Sequence, residues 1–101
     1  MTQTHELKLN TNYFDAVASG TKNFEVRRDD RGFQKGDRLR LLRYGPSWIS
    51  PRMPDYLQGR SRVTKSDADT IEREITYVLT GGQHGIEPGY VVLGLAEVED
   101  A

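Results

Sequence analysis

Apolar and polar residues alternate with a period of two in "HELKLN", "KNFEVRR" and "IEREITYVLT". A period of two places successive side chains on opposite faces of a strand, so each stretch reads as β rather than helix. "DRLRLLRY", introduced by the turn "KGD", reads as a further strand. "YVVLGLAEVE" is apolar on both faces at its start, the mark of a central strand. One segment departs from this period. "TNYFDAVASG" spaces Phe14, Val17 and Ala18 along a helical stripe, with Asn10 or Thr11 to cap it and Gly20 to stop it. The expected class is α+β, mainly β: a small, partly closed β-barrel with one or two helices.

Alternation assigns the two faces of each strand. In "KNFEVRR" it sends Phe24 and Val26 to the core and leaves Asn23, Glu25 and Arg27 on the other face. Lys22 falls in phase with the core side, and as the first residue of the strand it can bend over the sheet end. In "IEREITYVLT", Ile71, Ile75, Tyr77 and Leu79 share one face, with Glu72, Glu74 and Thr76 on the other.

Residues 45–70 break the pattern. Pro46, Pro51 and Pro54 exclude a regular central strand. Connections in compact domains are commonly about 4 to 6 residues, and structureless ones beyond about 15 are usually functional or disordered. The expectation is a partly mobile flap beside a cleft, with a short strand near Arg60 to Val63. Trp48 and Tyr56 are placed to stack on a base, or to anchor the flap on the core.

At 101 residues the chain is expected to form one domain, 1–101. It contains no cysteine, so disulfides and thiolate metal sites are excluded, in keeping with a reducing, cytoplasmic compartment. "MTQTHELKLN" has no apolar run, and no stretch has the length of a membrane span. Fourteen basic and 15 acidic residues give a formal charge of -1. Domains that neutralise many phosphates are usually basic. A nucleoside or nucleotide therefore suits this balance better than a long nucleic acid, and single-stranded RNA would need a local patch.

The chemistry-bearing residues crowd into Lys22, Glu25, Arg27 and Arg28. A carboxylate to activate water and cations to hold an oxyanion are two of the three parts an amide hydrolase needs. The same residues also suit an exposed strand pairing charges with a neighbour. Glu87 and His84 stand in the punctuated loop "GGQHGIEPG", either as working residues or as solvated loop polars. His5 has no second ligand at metal spacing, so no metal and no cofactor are expected.

"GTKNFEVR" fits G-x-K-x-x-E-x-R through Gly20, Lys22, Glu25 and Arg27, and a "GD" turn follows at Gly36 and Asp37. That pattern resembles the ASCH domain, a branch of the PUA-like barrels. Over "HELKLN", "YFDAVASGTKNFEVRRDDRGFQKGD" and "YVVLGL" the chain is also similar to a bacterial and phage family of unknown function in that superfamily. The resemblance implies a barrel with a cleft beside the first helix, and RNA or nucleotide binding. One branch removes the acyl group from acetylcytidine with a Lys after the helix, a Thr three residues on, and a Glu between the last two strands. Lys22 matches that Lys, Glu25 stands where the Thr would be, and Glu87 is the carboxylate of the corresponding loop.

Two functions are then expected. The first is a monomeric hydrolase of N-acylated cytosine nucleosides. In it Lys22, Glu25 and Glu87 are catalytic, and Arg27, Arg28, His84, Trp48 and Tyr56 hold the substrate. The second is a non-catalytic RNA- or nucleotide-binding module using the same residues.

Overall fold

The computed structural model describes residues 2–45 and 65–98. Strand β1 (Thr4–Asn10) runs directly into helix α1 (Thr11–Ala18), followed by β2 (Phe24–Arg28) and β3 (Arg38–Tyr44). A 3-10 turn at Lys65–Asp67 precedes β4 (Thr70–Thr80) and β5 (Tyr90–Glu97). The strands form one sheet in the order β1-β3-β4-β5-β2. The chain is mainly β, a five-stranded half-barrel sheet with a single α-helix among the described residues. β5 lies between β4 and β2, as its two apolar faces require. The flap expected over 45–70, with Trp48, Tyr56 and the strand near Arg60 to Val63, falls mostly on residues 46–64, outside the described residues. The C-terminal part of that span is structured, since it contains the turn at Lys65–Asp67 and the first residue of β4.

Of the described residues, 6–22, 40–45 and 65–71 gather into one compact unit, and 2–5, 23–39 and 72–98 into another. In the first, Asn10 is the helix cap: its side chain accepts from the Asn12 N–H at 2.9 Å. Gly20 ends the helix in the left-handed region, at φ +82°. Phe14 and Val17 are buried with Leu7, Leu9, Leu41 and Leu42, whereas Ala18, expected in the apolar stripe, is exposed. Arg43 ties this unit together. Its Nη2 lies 2.7 Å from Asp15 Oδ1, its Nη1 donates to Thr11 Oγ1 at 2.7 Å, and its guanidinium sits 4.4 Å from the centroid of the Phe14 ring. The Arg43 Nε faces Asp69 Oδ2 at 3.5 Å, a pairing of charge without a hydrogen bond.

In the second unit β5 pairs antiparallel with both β2 and β4. Leu39, Ile75, Val91, Leu93, Leu95 and Phe33 are buried there. The β4–β5 register shifts between Ile75 and Tyr77. A bulge adds one residue to one strand, so every later side chain changes face. Ile75 is therefore fully buried, while Tyr77, expected on the same face, points out and is 64% exposed. Both strands agree on this, since Val78 opposes buried Leu93. Gly94 makes room for the bulge: a Cβ there would meet Thr76 Oγ1 at 3.0 Å.

Candidate functional site

β2 is inside out. Phe24 opposes Gly94 and Val26 opposes Val92, whereas Glu25 opposes Leu93 and Arg27 opposes Val91. Residues directly opposite in an antiparallel pair share a face. Leu93 and Val91 are fully buried, so their partners Glu25 and Arg27 lie on the core side. Glu25 is 3% exposed, while Phe24 and Val26 are 43% and 51% exposed. This reverses the assignment made from alternation. The period fixed which residues share a face; the register against β5 decided which face went inside.

An ionised carboxylate on the core side is costly unless paired. Arg27, two residues along the same face, supplies a partner: its Nε donates to Glu25 Oε2 at 3.1 Å. The Arg27 side chain is half-buried and reaches toward solvent from the carboxylate. A guanidinium and a carboxylate thus stand fixed side by side on a rigid strand.

The other expected site residues are distributed as follows. Lys22 belongs to the helix unit and precedes β2 rather than opening it. Its N–H donates to Ala16 O at 2.9 Å, and its ammonium lies 4.7 Å from the Tyr13 ring centroid. Arg28 is exposed on the face opposite Arg27, with its guanidinium 5.6 Å from the ring centroid of Tyr90, its cross-strand partner. Trp48 and Tyr56 lie outside the described residues.

His84 and Glu87 occupy two consecutive turns. His84 and Gly85 have φ of +53° and +77°, and the Ile86 N–H donates to Gln83 O at 2.9 Å. Positive φ at both central positions is the signature of the tight hairpin turn of type I′. It leaves His84 exposed at the tip. Pro88 and Gly89 then form a second turn, with Gly89 at φ +86° and the Tyr90 N–H donating to Glu87 O at 3.1 Å, the arrangement of type II. Glu87, held between them, lines a basin of about 360 Å³ with Val26 and Val92. That basin lies on the outer face of β2 and β5. Glu87 and Glu25 are therefore on opposite faces of the strand pair.

One pair of site-like residues escaped the sequence reading. His5 lies within β1 and is buried, and its Nε2 is 2.9 Å from Asp37 Oδ2. The Asp37 carboxylate also accepts the Gln3 N–H at Oδ1 and the Gln34 N–H at Oδ2, each at 3.1 Å. The His5 ring packs edge-on to Phe33, with centroids 4.9 Å apart. Burial alone would raise the Asp37 pKa. The His5 hydrogen bond, the two backbone N–H groups and the His5 charge outweigh that, so the carboxyl is held below its usual value. The available signal was phase: His5 alternates with Leu7 and Leu9, so it belongs on their buried face. Among the described residues, no group of three or more His, Asp or Glu side chains could hold a metal ion. No helix among them is long and apolar enough to cross a membrane.

Residues 4–95 match the model of a domain of unknown function, DUF3850. The chain belongs to this family. A 41-residue stretch is also 46% identical to an uncharacterized 12.9 kDa protein in the GpA 3′ region of Escherichia phage P2. That stretch covers 41% of this chain and 38% of the phage protein. The match places the described fold, from the first strand to the last, inside one family, and neither name carries an activity.

Proposed function

We propose that this DUF3850 chain is a binding module for a cytosine-type nucleoside, read by Glu25 and Arg27. The observation behind this reading is the inverted strand. Turning Phe24 and Val26 outward forgoes up to about 1.5–3 kcal/mol of burial for each side chain. Placing Glu25 and Arg27 inward adds a desolvation cost that a buried pair does not reliably recover. Such conflicts between local pattern and fold are expected where a site is built.

The pair also has a chemical sense. A carboxylate accepts from an exocyclic amine, and a guanidinium donates to a neighbouring ring nitrogen or carbonyl. Cytosine presents that sequence of donor and acceptors on one edge. Uracil presents a carbonyl where cytosine has its amine, which would face the Glu25 carboxylate oxygen to oxygen. Nucleoside entry would proceed along the Arg27 side chain, the partly exposed member of the pair.

Recognition is preferred to amide hydrolysis on geometric grounds. Glu87, the expected acid, faces the outer basin. The module reading also agrees with the charge of -1, since a nucleoside brings no run of phosphates to neutralise.

Calorimetric titration with cytidine, acetylcytidine and uridine tests the proposal. Cytidine should bind at least about tenfold more tightly than uridine, as one mispaired edge contact costs roughly 1–3 kcal/mol. Glu25→Gln should abolish that preference, and salt should have little effect. Equal binding of both nucleosides, or of neither, would remove the proposal. Release of cytidine from acetylcytidine, followed by chromatography, would return the hydrolase reading to first place.

A further inference from the structure

The geometry points to a second binding site, on the outer face of β2 and β5, for a guanidinium or ammonium group carried on an aliphatic stem. Its floor is Val26 and Val92, which oppose each other across the two strands. Ile86 and Tyr90 complete the walls of a basin of about 360 Å³. This is within the range of small-ligand pockets. Among the described residues, Glu87 is the one charged residue that lines it. Among the described residues no hydrogen bond or ion pair engages its carboxylate.

Three features fit such a cation and disfavour other occupants. The floor is apolar and exposed, Val26 more than half so, and a methylene stem can cover it while its charged head stays at the rim. The Tyr90 ring in this basin's wall pairs with a cation, the Arg28 guanidinium 5.6 Å from its centroid, so this aromatic wall suits a cationic neighbour. The backbone that carries Glu87 is positioned in advance. The turns at 83–86 and 87–90 each close with a backbone hydrogen bond, and the Gly82 N–H donates to Ile86 O at 2.8 Å. Gly81 packs so closely that a Cβ there would overlap Glu87 O at 2.0 Å. The loop is locked against the sheet, and a guanidinium would meet Glu87 with little reorganisation. An anion would be repelled by Glu87, and a neutral ligand would leave its charge unused.

The shared chemistry has two sources, a free amine or guanidine and an arginine or lysine side chain of a protein. NMR titration of the full chain with butylguanidinium and with a short peptide bearing one arginine distinguishes them. Pentanol serves as the neutral counterpart. Butylguanidinium should shift the amides of Val26, Ile86, Glu87 and Val92, and pentanol should bind at least about tenfold more weakly. Glu87→Gln should weaken butylguanidinium by a similar factor, and added salt should weaken it too. Val26→Ser, a change at an exposed position, should weaken it through the floor. Glu25→Gln should leave it unchanged, which separates this site from the proposed nucleoside site on the inner face. A peptide that binds more tightly than butylguanidinium would assign the site to a protein partner, and equal affinities would assign it to a free cation. Absence of shifts, equal binding of pentanol, or indifference to Glu87→Gln would overturn the proposal.

Discussion

Asp37 and Glu25 are both carboxylates almost closed to water in the same unit, and they are held in different ways. Asp37 accepts two backbone N–H groups and a histidine, so it organises the turn at 34–37 and joins it to the chain at Gln3. Glu25 is paired side chain to side chain with Arg27, two residues away on the same strand. The first arrangement satisfies part-buried backbone donors from two separate stretches of the chain. The second pairs two charges carried by the same strand. The difference separates a carboxylate that joins stretches of backbone from one that pairs within its own strand.

The largest effect should come from Asp37→Ala. It strands two backbone donors and His5, and breaking a buried pair costs about 3–5 kcal/mol. Urea unfolding should show this loss, and a cost below about 1 kcal/mol would erase the distinction from Glu25. The double substitution Glu25→Leu with Arg27→Leu should go the other way. Replacing a buried pair by apolar groups is often neutral or stabilising by up to about 4 kcal/mol. A clear loss of stability would make that pair structural and weaken the site reading.

Acid titration sharpens the contrast. The Asp37 pKa is lower in the folded chain than its ordinary value of 3.8. Its contribution is therefore fully present above that value and is lost as pH falls from there through the lower folded value. Following unfolding by circular dichroism, Asp37→Asn should flatten this acidic limb relative to the parent chain. An unchanged limb would show that other groups set the acid sensitivity.

The smallest effect should be at Tyr77. As an exposed side chain beyond the bulge, Tyr77→Ser should change stability by no more than about 0.5 kcal/mol. A cost of several kcal/mol would mean that the ring is buried, as unbroken alternation through β4 implies.

These cases show what the sequence carried. Period and turn chemistry located the strands, the helix and its Asn10 cap, and the central place of β5, because each depends on residues close in the chain. Orientation was harder. "KNFEVRR" separates Phe24 and Val26 from Glu25 and Arg27, but only pairing with Leu93 and Val91, far along the chain, chooses which set is buried. The bulge in β4 was equally hidden, since its enabling neighbour is Gly94 on the adjacent strand. The Asp37 pair joins residues 32 positions apart, although the phase of His5 was visible. Glu87 was singled out from its loop, yet its separation from Glu25 depends on the face each side chain occupies.

Two glycines of the hairpin loop, Gly81 and Gly85, respond to different properties of a replacement. At Gly81 the obstacle is volume, because any Cβ would overlap the carbonyl oxygen of Glu87. At Gly85 there is open space and the obstacle is handedness, as φ is +77°. Chemical synthesis can separate the two: a D-alanine at 85 has the mirror-image torsional preference and should stiffen the turn, whereas alanine at 81 should force the loop off the sheet. Position 85 is accordingly a place where this chain can be made more rigid through torsion alone.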